Sequence, residues 1–396
     1  MKRILHLAFF AALIAIAPLG VAATDIGRIE IGVDKNTIAI RVSGNTPELN
    51  TLAQLAFSSH GRYKVQASGH AFDISFSAVS ATQVRVDITK GNPATPFASE
   101  VATGANARQA LLRAADIAVE KTNGVGLRGF FTAQLASIVE VAGKQEVYVS
   151  DLFFREPKRL TLDKSHALSP RWAPDGSRLL YTSYFKNGRP DIYQIDMKSY
   201  QRTTFVSLNG TNLSARFSPN GQQVAMVLTG EGPPEIYVSN AQGKQISRKT
   251  RADAVKSSPC WSPDGSRLVF AMDPGPQLYT MPAGGGPMQR LSTGSTYAAE
   301  PDWSRTNPSK IACTVKDGGR YKIAVYDFSR GTATVASTKV EFDGIEPSWL
   351  ADGRHLVYTA RDRSTSVLCI LDTETGKSTP ISRGVGPAMQ ASVWTP

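Results

Sequence analysis

Over most of its length the chain is written in short runs of alternating apolar and polar residues, the period-two pattern of half-buried β-strands. One run recurs. Ser169-Pro-Arg-Trp172-Ala-Pro-Asp-Gly-Ser-Arg-Leu-Leu-Tyr181 returns as Ser214-Ala-Arg-Phe217-Ser-Pro-Asn-Gly-Gln-Gln-Val-Ala-Met226 and as Ser258-Pro-Cys-Trp261-Ser-Pro-Asp-Gly-Ser-Arg-Leu-Val-Phe270. Two degenerate copies, Glu300-Pro-Asp-Trp303 and Glu346-Pro-Ser-Trp349, precede a truncated one, Ala391-Ser-Val-Trp394. The aromatic positions 172, 217, 261, 303, 349 and 394 are 45, 44, 42, 46 and 45 residues apart. A second apolar run keeps step with the first, at Tyr148, Tyr193, Tyr237, Tyr279, Ala324 and Cys369.

Within a repeat, Pro174-Asp175-Gly176 is a turn in which proline presets φ and glycine accepts a positive one. Asn187-Gly188 marks a second hairpin. Asp191 to Asp196 reads as a third strand and Thr203 to Ser207 as a fourth. Four short antiparallel strands in about 44 residues describe a propeller blade. The ends of the repeat region fit a closed ring. Thr132 to Val141 and Gln145 to Asp151 are second and third strands with no tryptophan strand before them, and the C-terminus is a tryptophan strand alone. Joined, they complete a sixth blade, so a six-bladed β-propeller is expected over residues 129–396, closed by the C-terminal strand. Closure leaves no open blade seeking a neighbour.

Residues 24–128 carry no repeat. Arg28–Ile31 and Thr37–Val42 alternate like strands, as do Phe72–Val79 and Gln83–Ile88. Thr46-Pro47-Glu48 starts a helix that Gly61 stops, and Asn106 to Thr122 reads as a second. Strands mixed with two helices predict a small α/β domain. Before it, Lys2-Arg3, an apolar stretch from Ile4 to Leu19 and the small residues Val21-Ala22-Ala23 have the form of a secretory signal peptide cut after Ala23. The expected location is therefore outside the cytoplasm, in the periplasm.

Charge changes this picture less than it first promises. The formal net charge is +11, a balance that suggests nucleic acid or an anionic surface. Export argues against nucleic acid, however, and the excess is spread across the propeller: residues 141–396 hold 31 basic against 23 acidic side chains. Three cysteines, Cys260, Cys313 and Cys369, exclude a disulfide scaffold or a multi-cysteine zinc fold. They fall on strands of three different blades and read as buried, unpaired thiols.

No catalytic constellation emerges. The histidines after residue 23 (His60, His70, His166 and His355) lack metal-ligand spacing, and no serine sits in a nucleophile-elbow sequence. Gly284-Gly285-Gly286 lies between Pro282 and Pro287 with no helix after it, and reads as a hairpin loop. The repeated tryptophans read as packing between blades. No cofactor and no metal are expected. In each blade the tryptophan strand should be innermost, so residues just before it should gather at one mouth of the central channel. These are His166, Ser169, Asn212, Ser214, Lys256, Ser258, Ala299, Glu300, Ile345, Glu346 and Gln390. As a set they describe a mixed-charge docking ring for a protein or peptide. The alternative is a propeller enzyme, or a small-ligand or metal binder, using the acidic mouth residues Glu300 and Glu346.

The combination resembles the TolB family of Tol-Pal system proteins. It comprises the leader, the opening Arg28-Ile-Glu-Ile31 followed by Gly32-Val33-Asp34, the α/β domain, the Thr122-Asn-Gly-Val-Gly-Leu-Arg-Gly-Phe-Phe131 junction and six blades ending at Trp394. The chain departs from the family after Asp34, where Ile38-Ala-Ile-Arg-Val-Ser-Gly44 stands in place of the usual Val-Pro-Phe run. The resemblance implies a periplasmic, non-enzymatic scaffold supporting outer-membrane integrity and cell division. Its propeller would bind a peptidoglycan-associated lipoprotein, and outer-membrane proteins are possible further partners. Its N-terminal region, Arg28, Ile29, Glu30 and Ile31 here, would engage an inner-membrane Tol complex protein.

Overall fold

The computed structural model of the chain describes residues 37–186, 188–230, 232–337 and 342–396. The leader and the Arg28–Ile31 strand lie outside the described residues. The first elements are β1 (Ile38–Gly44), α1 (Pro47–Ser59), β2 (Tyr63–Val65), β3 (Phe72–Ser80), β4 (Gln83–Lys90), β5 (Thr95–Thr103) and α2 (Ala107–Thr122). They form one sheet in the order β2-β1-β3-β4-β5, with β1 parallel to both neighbours and the remaining pairs antiparallel.

Alternation turns Ile40, Val42, Ile74, Phe76, Val84, Val86 and Ile88 to one face, where Leu49, Leu52 and Phe57 of α1 and Leu111, Leu112 and Val119 of α2 cover them. The helix starts are where the sequence places them. Thr46 Oγ1 accepts the Leu49 amide at 3.3 Å ahead of Pro47, and Asn106 Oδ1 accepts the Gln109 amide at 2.9 Å. Each cap satisfies an otherwise orphaned donor of the first turn. Strands β2 and β5 were not among the predicted elements.

Six four-stranded antiparallel sheets follow. The innermost strands are Ala167–Trp172, Asn212–Phe217, Lys256–Trp261, Ala298–Trp303, Asp343–Trp349 and Ala388–Trp394, blades one to six in that order. The sixth blade combines Ala388–Trp394 with Gln134–Val141, Lys144–Asp151 and Lys158–Arg159, the closure that the two ends of the repeat region predict. Its aromatic residue is offset. Trp172 pairs with Leu179 and Trp349 with Leu356, whereas Leu135 pairs with Val393 and Trp394 lies one position further on. The even sequence spacing conceals this extra residue. Trp394 instead covers the next turn, its Nε1 donating to Pro174 O at 3.1 Å and its ring 5.7 Å from Trp172.

The tryptophans pack between blades. Trp261 Nε1 donates to Arg216 O and Trp349 Nε1 to Asp302 O, each at 3.0 Å and each across a blade boundary. All three cysteines are buried and free.

Since innermost strands run away from the predicted mouth, their first turns and the ends of third strands lie on the opposite face of the ring. The α/β unit packs there. The Gly61 amide donates to His355 Nε2 at 3.0 Å, and Arg108 Nε donates to Asp151 Oδ2 at 2.6 Å. At the connection between sheet and ring, Asp116 of α2 accepts from the amides of Phe130, Phe131 and Thr132 at 2.8–3.0 Å and from Thr132 Oγ1 at 2.7 Å. One buried cluster runs through both parts, from Phe57 and Val119 to Phe131, Phe153, Leu350 and Ile370.

Candidate functional site: the channel and its mouth

Each innermost strand is broken by a bulge. At the bulge a non-glycine residue takes a left-handed conformation: Ser169, Ser214, Ser258, Glu300, Glu346 and Gln390, with φ between 51° and 57°. Such a conformation costs on the order of 1 kcal/mol for each residue. Its recurrence in all six blades identifies it as a feature of the ring. These six residues line a channel cavity of about 160 Å³, together with Arg171, Arg216 and a set of prolines.

Six of the eleven residues predicted at the mouth are therefore brought together. The other five are not. His166 is exposed at the rim, its Nδ1 3.2 Å from Gln145 Oε1. Asn212 is buried and donates to Pro190 O, Asp191 Oδ1 and Leu208 O. Lys256 is buried, paired with Glu235 at 3.0 Å and bonded to Ala252 O and Ala254 O. Ala299 and Ile345 are also buried. The reason is geometric. Alternation points Ala299 and Ile345, next to the bulge, into the blades, whereas the channel is reached by the bulged residue in every blade, by Arg171 and Arg216 two positions later in the first two, and by Pro259, Pro301 and Pro347 in the next three.

Two tiers of hydrogen bonds join the blades around this wall. In the upper tier, Glu300 Oε2 accepts the Glu346 amide at 2.9 Å, and Glu346 Oε2 accepts the Gln390 amide at 3.2 Å. Gln390 Oε1 then accepts the Ser169 amide at 2.8 Å. In the lower tier, Cys260 Sγ accepts the Trp303 amide at 3.2 Å and Asp302 Oδ2 the Trp349 amide at 2.7 Å. Ser348 Oγ and Ser392 Oγ accept the amides of Val393 and Trp172, both at 3.3 Å. Thr314 Oγ1 and Thr359 Oγ1 add donors to the Glu300 and Glu346 carboxylates at 2.6 and 2.8 Å.

The electrostatics follow from burial in a narrow space. Desolvation, with the charge of Glu346, pushes the Glu300 carboxyl up to about 7. Burial, and then the adjacent Arg216, brings Arg171 down to about 10. Arg216 forms an ion pair with Asp302. Both arginines were missed as site residues. Their signal lies in the position directly before the repeated aromatic, which reads Arg, Arg, Cys, Asp and Ser in the first five blades. A polar, variable position inside an otherwise repeated strand marks the side that faces the channel.

A second polar cluster lies where the α/β unit meets the fifth blade. His60, Asp352 and His355 bring three ligand-type atoms within 4.8 Å of one another. Hydrogen bonding already occupies both nitrogens of His355: Nδ1 is 2.5 Å from Asp352 Oδ2, and Nε2 accepts the Gly61 amide. The cluster therefore reads as an internal joint. Burial holds the His60 imidazole well below its ordinary range, and His355 is the next contributor.

The comparisons with known proteins agree with this architecture. Curated Tol-Pal system proteins TolB from Bordetella pertussis and Bordetella parapertussis are each 30% identical to the chain over 175 residues, 43% of this chain and 39% of the relative. The match thus spans about two fifths of those relatives' length. The crystal structure of TolB from Acinetobacter baumannii superposes with a TM-score of 0.80 at 22% identity, covering 90% of this chain and 96% of the other. A chain of a nidogen/laminin complex superposes with a TM-score of 0.55 at 11% identity over 66% of this chain and 98% of the other. At those identities the superpositions show the fold alone. The family model for the TolB beta propeller domain matches residues 122–396, more than half of the chain, and the protein belongs to that family.

Proposed function

We propose that the chain is a periplasmic scaffold of a Tol-Pal system whose channel mouth docks a peptidoglycan-associated lipoprotein. The observation that carries this reading is the placement of exposed apolar side chains. Among the described residues the propeller exposes six large ones: Val141, Leu162, Tyr200, Leu208, Val255 and Phe342. Five lie at the mouth face, Val141 at the end of a second strand and the other four on connections; only Tyr200 lies on the other face, between third and fourth strands. Apolar groups rimming a polar depression are the composition of a protein-binding surface. A standard interface of ~1,600 Å² total is within reach of a ring of this size. The opposite face is partly covered by the α/β unit, which leaves the mouth free.

In this reading the activity is recognition, in support of outer-membrane integrity and cell division. The N-terminal segment Arg28–Ile31 engages an inner-membrane Tol complex protein, so the chain bridges two membranes' partners. Crosslinked purification from the cell envelope tests the division of labour. Leu208→Asp with Val255→Asp should lose the lipoprotein and keep the inner-membrane partner, and deletion of residues 24–36 should do the reverse. Loss of both partners in both variants, or of neither, contradicts the assignment.

A further inference from the structure

The two tiers of blade-to-blade hydrogen bonds are interrupted in the same sector. In the upper tier the first three blades carry Ser169, Ser214 and Ser258, and no side-chain acceptor from the preceding blade meets the amides of Ser214, Ser258 or Glu300 among the described residues. In the lower tier the acceptors Cys260, Asp302, Ser348 and Ser392 give way in the first two blades to Arg171 and Arg216, which can only donate. Where other blades offer an acceptor to the next, this sector offers guanidinium groups to the cavity.

The two arginines are not equally satisfied. Arg216 pairs with Asp302. Arg171 lines the cavity with a single protein hydrogen bond, from Nη1 to Pro170 O at 3.0 Å, and makes no ion pair among the described residues. A half-buried guanidinium with most of its five donors open is costly unless an anion or water completes it. The carboxylates opposite do not do so. Glu346 turns both oxygens toward Thr359 and Gln390, and Glu300 turns Oε2 toward Thr314 and the Glu346 amide, so each is hydrogen-bonded within the wall.

We infer that the channel is a binding site for a carboxylate group, with Arg171 as its principal ligand and the serine sector of the wall as its surround. A planar guanidinium presents paired donors that match a carboxylate's two oxygens. The cavity, about 160 Å³, is comparable to one that admits a small organic molecule. That suits a carboxylate with a few carbons, or an acidic side chain or chain terminus reaching in from the mouth, and excludes a folded segment. The inference is separate from the docking surface above, because it concerns the channel interior and small probes address it directly.

The test is calorimetric titration of the full mature chain at constant ionic strength in sodium chloride. The probes are succinate, its uncharged diamide, inorganic phosphate, and a Gly-Gly-Asp peptide with a free or an amidated C-terminus. Saturable binding of succinate or the free-acid peptide is expected, at least tenfold tighter than the diamide or phosphate. Succinate binding identifies a soluble carboxylate as a sufficient ligand, and binding of the peptide alone identifies a polypeptide source. Arg171→Gln should weaken binding at least tenfold and Arg171→Lys by less. Binding of neither acid, equal binding of phosphate, or an affinity unchanged in Arg171→Gln overturns the inference. The comparison among probes on the unaltered chain stands even if a variant fails to fold.

Discussion

The backbone amide of Glu346 donates to the carboxylate of Glu300 at 2.9 Å, across the boundary between the fourth and fifth blades. One residue thereby serves two purposes: it ties adjacent blades together at their bulges, and it places a desolvated acid in the channel wall. Its titration should be visible in the stability of the ring. The Glu300 carboxyl is pushed up to about 7 by burial and by Glu346, against an ordinary value near 4.3 in the unfolded chain. Between those values the folded state holds a proton that the unfolded chain has lost, so stability falls as pH rises from about 4.5 to about 7. Glu300→Gln keeps an acceptor for the Glu346 amide and removes the linkage. Relative to wild type the variant should gain roughly 2 kcal/mol between pH 5 and pH 8, read by urea unfolding. A constant difference across that range counts against a perturbed acid.

The joint between the α/β unit and the ring should respond to acid in the opposite sense. Burial depresses the His60 imidazole far below its ordinary value, so it is neutral when folded and protonates readily when unfolded. The stability it contributes is present above about pH 6.5 and is lost as pH falls below that value. His60→Phe should remove this dependence. Thermal unfolding followed from pH 7.5 to pH 5 checks it, with the wild-type midpoint falling more steeply than the variant's.

Gly61 is required by space rather than by backbone conformation. A β-carbon there would lie 1.7 Å from Asp372 Oδ2. Asp372 cannot step aside cheaply, since Arg354 Nε and Nη2 hold it with bonds of 2.6–3.1 Å in a buried pair. Gly61→Ala should therefore cost about 2–4 kcal/mol. Limited proteolysis of the connection at 123–129 should accelerate in parallel, and an unchanged cleavage rate would show that the contact does not hold the joint.

Ring closure rests on the last strand. Removing residues 388–396 uncovers the edge of Gln134–Val141, whose Leu135, Ala136, Ile138 and Val139 are fully buried in the intact chain. An open apolar edge invites association. The truncated chain should aggregate at concentrations where the full chain stays monodisperse by light scattering.

Much of this architecture is legible in the sequence because repetition amplifies weak signals. The turn chemistry of Pro174-Asp175-Gly176 and its equivalents, together with the aromatic spacing, fixes blade number and closure. Thr46-Pro47 and Asn106 mark helix starts by the same caps the structure shows. Strand β5 was not legible: Thr95–Thr103 is mostly exposed, so no buried side imposes alternation on it. The channel wall was half legible. Sequence locates the stretch before each aromatic, but the left-handed bulge decides which residue of that stretch reaches the channel. Lys256 shows the consequence: it sits at the first position of its strand and goes inward to Glu235. Arg171 and Arg216 went unnoticed because they stand among the repeated residues and look like part of the motif.

The most direct measurement of the central claim is the affinity of purified peptidoglycan-associated lipoprotein for the full chain. It should be compared with Leu208→Asp/Val255→Asp at the mouth and with Tyr200→Asp on the opposite face. Leu208, Val255 and Tyr200 are 50%, 42% and 46% exposed, so none of the substitutions should disturb the core. Docking at the mouth predicts at least a tenfold loss for the double variant and an unchanged affinity for Tyr200→Asp. Equal affinity for the wild type and the mouth variant, or a loss confined to Tyr200→Asp, would contradict it.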